Sequence, residues 1–186
     1  MTTFTPLNGS EKFAVRSWSR PFKKSVFCVF LLGKTNPCGS HKWNYFGGYC
    51  YNVQSQKKLW REARSFCQKE GAALVDIQSA VENQFLMHYV PPSIPSIWIG
   101  YNDIDEEGTF VWDRTGMTGV YTNWDAGRLN ENSTRHYNLD CVALLTQPTH
   151  NFAKGFWTDV SCDNGQSKLA FACKKGKFKV FFSQRN

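Results

Sequence analysis

At 186 residues, the chain is long enough to bury one substantial core. A net charge of +7 would suit a polyanionic partner, but residues 1–37 hold six Lys and Arg against one Glu, and residues 174–186 hold five against none. Residues 38–173 hold eleven basic and fourteen acidic side chains, a balance of 11 − 14 = −3. That distribution excludes a nucleic-acid surface, which gathers basic residues and stacking aromatics on one folded face.

These differences divide the chain into a leader over residues 1–37, a folded domain over 38–173 and a basic tail over 174–186. In the leader, Lys23 and Lys24 precede a seven-residue apolar run, Val26 to Leu32, resembling the charged and hydrophobic regions of a secretory signal. The run is too short to cross a bilayer, so the sequence predicts a secreted, extracellular protein without a transmembrane segment. Seven cysteines with no CxxC pair point the same way, to disulfides in an oxidising compartment. If a cleaved signal removes Cys28, six cysteines remain; if Cys28 is retained, it can link two chains.

Cys38 and Cys50 flank Trp43, Phe46 and a Gly-Gly pair, the pattern of a small β-hairpin closed by a disulfide. Leu59, Ala63, Phe66 and Cys67 then recur at helical spacing, and Gly71 supplies the stop, which turns Cys67 towards the core. A second helix is announced by Ser79 with Glu82 three residues on, a capping box, and ends before Pro91 and Pro92. From Ile97 onwards the runs SIWIGYND, TFVWDRT, CVALLT, GFWTDVSC and LAFACKK are short, β-branched or aromatic, and separated by Gly, Asn and Asp. They predict strands. Between Thr115 and Asp140 lies a long polar stretch, a length that in a folded domain marks either function or disorder. Tyr121 and Trp124 within it read as anchors of its base. The final KKGKFKVFFSQRN alternates apolar and basic residues and reads as an edge strand or a frayed tail.

The order of residues from Leu59 to Phe85, followed by WIG at Trp98, GTFVW at Gly108, YTNW at Tyr121, DCV at Asp140, FWTDVSC at Phe156 and FAC at Phe171, resembles the C-type lectin-like domain. The resemblance covers residues 38–173. It implies an α+β, double-looped fold with two helices packed on antiparallel sheets and a long projecting loop as the ligand surface. It also implies the pairings Cys67–Cys173 and Cys141–Cys162, with Cys38–Cys50 marking the long form of the domain.

In sugar-binding members of that family, a calcium ion in the long loop is coordinated by side-chain oxygens and two sugar hydroxyls, within the six to eight oxygen ligands the ion favours. The family motif is Glu-Pro-Asn or Gln-Pro-Asp, a Glu two residues before the loop cysteine, and Asn-Asp after a Trp. Counted from Trp124, the tripeptide is Arg128-Leu129-Asn130, whose guanidinium would repel the ion. Counted back from Cys141, it is Glu131-Asn132-Ser133, which restores a carboxylate without the proline. Leu139 replaces the later Glu, and Thr158-Asp159 follows Trp157. The sugar-coordinating site is therefore degenerate, with Arg128, Asn130, Glu131, Asn138, Thr158 and Asp159 as the ligand-binding set. A calcium cofactor has a second candidate position, the family's first calcium site, at Asp103 and Glu107 with Glu131 or Asp140; the alternative there is a solvated acidic turn. Asn132-Ser133-Thr134 and Asn8-Gly9-Ser10 are N-glycosylation sequons.

Two functions fit these residues. One is a lectin that binds carbohydrate or glycoprotein ligands, where Tyr121, Trp124, His136 and Tyr137 offer ring faces and Arg128 and Arg135 attract sulfated or sialylated chains. The other is a calcium-independent protein-recognition module without sugar binding. An enzyme does not fit: His41, His88, His136 and His150 are scattered, and no HExxH, Gly-x-Ser-x-Gly or phosphate loop occurs.

Overall fold

The structure, a computed structural model, describes residues 36–124, 138–149 and 153–176. The expected signal, Cys28, most of the basic tail, and Arg128, Asn130, Glu131 and Asn132 lie outside the described residues.

A short strand β1 (Asn44–Phe46) turns at Gly47 and Gly48 into β2 (Tyr49–Lys58). Both glycines have positive φ, 56° and 91°, which L side chains rarely adopt. The Cys38–Cys50 disulfide closes this hairpin as expected. Helix α1 (Trp60–Lys69) buries Trp60, Ala63 and Cys67 on one face and stops before Gly71, whose φ is 65°. After β3 (Ala73–Leu74) comes α2 (Ala80–Tyr89). Ser79 caps it by accepting a hydrogen bond from the Glu82 backbone N–H at 3.2 Å. The reciprocal half of the expected box differs: one Glu82 carboxylate oxygen accepts from Gln78 N at 2.9 Å, and the other accepts from Tyr51 Oη at 2.7 Å and Lys174 Nζ at 2.6 Å.

The remaining strands are β4 (Ser96–Asn102), β5 (Val111–Trp112), β6 (Cys141–Leu145), β7 (Trp157–Val160) and β8 (Leu169–Gly176). The sheet runs β1-β2-β8-β4-β6-β7, with β3 also pairing with β8 and β5 with β4. All pairings are antiparallel except β4 with β8, where Ile97 faces Ala170 and Trp98 faces Phe171. The fold is thus α+β, with one parallel contact inside a sheet expected to be antiparallel.

One core cluster lies around Ile77, Leu86, Ile99, Trp112, Val142 and Trp157; the other contains Trp60, Trp98, Phe171 and all six paired cysteines. Phe46 stacks on Phe85 with centroids 4.1 Å apart, and Phe85 on Tyr89 at 5.3 Å, which fastens α2 to the hairpin. Cys67–Cys173 joins α1 to β8, and Cys141–Cys162 joins the start of β6 to the segment just after the end of β7.

Strand β8 continues to Gly176, so Lys174, read from sequence as the first residue of the tail, is 1% exposed inside the fold. Its ammonium meets the Asp76 carbonyl at 2.8 Å, Glu82 Oε1 at 2.6 Å and Asp76 Oδ1 at 3.2 Å. Arg114 completes the group through Asp76 Oδ2 at 2.5 Å. Two cations and two carboxylates thus balance where a lone buried charge would be prohibitive.

Candidate functional site

The near end of the long loop is fixed by side-chain hydrogen bonds and ring packing, and the far end by a backbone bond. At its near end, Asn123 donates from Nδ2 to the Gly155 carbonyl at 2.7 Å, and its own carbonyl accepts from Trp157 N at 2.8 Å. Trp124 forms a bridge alongside Trp157 and packs its ring against Phe110 at 4.9 Å and Tyr101 at 6.0 Å. Tyr121 meets Trp157 edge-on at 5.7 Å. Tyr121 and Trp124 are therefore half-buried anchors, in keeping with their sequence reading. Behind Trp157, Asn83 of α2 accepts from the indole Nε1 at 2.9 Å and donates to the Gly155 carbonyl at 2.9 Å.

At the far end, Asn138 is exposed with φ 73°, a conformation Asn tolerates better than most residues. Asp140 follows, and its carbonyl accepts from Asp103 N at 3.0 Å. Asp103 begins the turn Asp103–Gly108, in which Asp103 Oδ2 accepts from Gly108 N at 2.8 Å. Asp103 is 4% exposed, and its Oδ1 has no hydrogen-bond partner. Burial raises its pKa above the ordinary aspartate value, and the nearby carboxylates of Glu107 and Asp140 raise it further. A buried anionic oxygen without a donor, beside two more carboxylates, fits a hard divalent cation. Among the described residues, no group of three His, Cys, Asp or Glu side chains closes at full metal-binding spacing. Glu131, the fourth expected contributor, lies outside them.

Asp103 thus lies near enough to Glu107 and Asp140 to feel their charges, while Thr158 and Asp159 lie within β7. The latter two are 8% and 5% exposed, paired with Ala143 and Val142 of β6. Sequence reasoning missed the Asn83–Gly155–Asn123 contacts. The available signal was Asn83 in step with Leu86 and Val90: an amide on an apolar helical stripe must find partners when buried.

The family model for the lectin C-type domain matches residues 56–175. Lectin BRA-3 of Megabalanus rosa is 32% identical over 151 residues, covering 80% of this chain and 84% of that protein. C-type mannose receptor 2 of Homo sapiens is 30% identical over 133 residues, 72% of this chain; the chain spans only 8% of that receptor's length. Among solved structures, the C-type carbohydrate-recognition domain of cow CD23, determined in the presence of a GlcNAc2Man3 oligosaccharide, superposes with a TM-score of 0.62 at 29% identity. That match covers 75% of this chain and 97% of the cow domain.

Proposed function

Because the chain belongs to the C-type lectin domain family, we propose that it is a secreted, non-enzymatic recognition module that binds extracellular carbohydrate or glycoprotein ligands through the long loop. The observation that carries this reading is the polar loop base, where Asn123, Trp124 and Trp157 are held by one hydrogen-bonded set. A preorganised base lowers the ordering cost of ligand capture. Three disulfides support an oxidising, extracellular setting.

Calcium enters this reading at the acidic turn. Asp103, Glu107 and Asp140, with Glu131 from the loop, would hold the ion, which would neutralise their repulsion and stiffen the loop. The sugar-coordinating position is the degenerate one: Leu139 supplies no side-chain oxygen, and Arg128-Leu129-Asn130 or a proline-free Glu131-Asn132-Ser133 replaces the family tripeptide. Asn130, Asn138, Thr158 and Asp159 remain as its polar contributors, and a glycan on Asn132 would sit on the same loop.

The experiment is a glycan array probed in calcium and again in chelator. Capture of a defined set of glycans, largely retained in chelator, is the expected result. Complete loss in chelator with recovery on added calcium would restore a full sugar-coordinating ion and the Glu131 register. Binding to no glycan, with capture of an unglycosylated protein, would favour the calcium-independent protein-recognition module.

A further inference from the structure

We infer that Asn83, on the helix α2, is a positioning residue for the ligand surface: it sets where the near end of the long loop and the start of β7 lie. The argument begins with one carbonyl. Gly155 O receives two side-chain amides, Asn83 Nδ2 at 2.9 Å and Asn123 Nδ2 at 2.7 Å, which together fill its two lone pairs. Gly155 N donates to Leu145 O at 2.7 Å, which fastens this residue to β6, and its φ of 96° favours glycine. The carbonyl is thus a fixed point, approached from the helix on one side and from the loop on the other.

Asn83 uses its other end equally. Its Oδ1 accepts from Trp157 Nε1 at 2.9 Å, and the side chain is 6% exposed, so solvent does not replace these bonds. Trp157 in turn donates its backbone N–H to Asn123 O and packs against Trp124 with centroids 6.1 Å apart. Helix, strand and loop entry therefore share one closed set of bonds. Neither neighbouring chemistry substitutes: Asp lacks the donor for Gly155 O and opposes it with a second negative oxygen, and Leu satisfies neither group. Thr158 and Asp159 follow Trp157 directly in β7, so a shift of the Trp157 backbone carries them with it.

The clamp is testable without any ligand. Its biological consequence rests on the long loop being the ligand surface, whereas the clamp itself does not. Hydrogen exchange read by mass spectrometry on the full chain, unaltered and Asn83→Asp, reports it locally. Peptides covering 115–124 and 153–160 should exchange about tenfold faster in the variant, with α1 changed by less than about twofold. Equal rates in the two proteins, or a uniform rise that includes α1, would overturn the inference. If Asn83→Asp does not fold, NMR of the unaltered protein decides: the Trp157 indole proton, assigned with Trp157→Phe, should exchange as slowly as the β6 amides, and rapid exchange with water would overturn the clamp. A chain that captures no glycan leaves both measurements intact, so failure of the functional reading and failure of the clamp are separable.

Discussion

Asp103 shows how one buried side chain carries an energetic cost that a bound cation would relieve. Its Oδ1 is buried and unbonded, while Oδ2 is committed to Gly108 N. Its carboxyl holds its proton more tightly in the folded chain than in the unfolded chain, because burial and the charges of Glu107 and Asp140 disfavour the anion. The folded state thus binds more protons across the interval from the ordinary aspartate pKa up to the raised one. Calcium-free stability should fall as pH rises through that interval and stay lower above it. Urea titrations at a series of pH values in chelator check this, and a rise over the same interval would contradict it. Asp103→Asn would aim an NH2 at the neighbouring carboxylates. It should raise the thermal midpoint in chelator at neutral pH and abolish the further rise that calcium gives the unaltered protein; a calcium response that persists in the variant would remove Asp103 from the site. Asp103, Glu107 and Asp140 were named from the sequence through the family's first calcium position, with a solvated acidic turn as the alternative; the burial of Asp103 was not legible there, because it depends on packing around the turn.

At the scale of elements, α2 and β8 carry polar groups where their patterns suggest none is needed. Glu82 and Asn83 are buried on consecutive helix positions, one bound to Lys174 and Tyr51, the other to Trp157 and Gly155. The sequence placed both helices and the strands of the second half correctly, since helical period, Ser79 and Gly71 are local signals. It misjudged Lys174, because a lysine after the last apolar pair of a chain is ordinarily solvated, and its burial depends on Asp76 and Glu82 far away in sequence. Likewise the length of β2 and the parallel β4–β8 contact are set by pairing across the sheet rather than by any local run. Lys174→Met leaves Asp76 and Glu82 with one cation, Arg114, in place of two. Denaturant unfolding at neutral pH should show a loss of about 3–5 kcal/mol. Lys174→Met with Glu82→Gln should recover part of that loss, since it removes the stranded charge; a single variant as stable as the parent would show that the ion group does not support the helix.

For the whole molecule, the cysteine framework ties together the elements on either side of the long loop. Cys67–Cys173 spans 106 residues and Cys141–Cys162 spans 21, and together they enclose the elements that carry the loop base. In the chain-entropy model, a bridge closing a loop of about a hundred residues contributes roughly 4–5 kcal/mol, so replacing Cys67 and Cys173 with Ala should lower unfolding stability by about that amount. A loss under about 1 kcal/mol would mean that packing alone holds α1 on β8. The pairing itself was legible only through the family resemblance, because six cysteines permit many connectivities and spacing does not choose among them. The loop register was not legible at all, since its two anchors, Trp124 and Cys141, count to different tripeptides.

The central claim, that a rigid disulfide-framed base presents residues 125–137 to the ligand, is tested most directly by replacing that segment with a Gly-Ser linker of equal length and repeating glycan and glycoprotein capture alongside a thermal melt. The account predicts a preserved melting transition and three intact disulfides with capture lost. Capture at undiminished strength by the linker variant would contradict it.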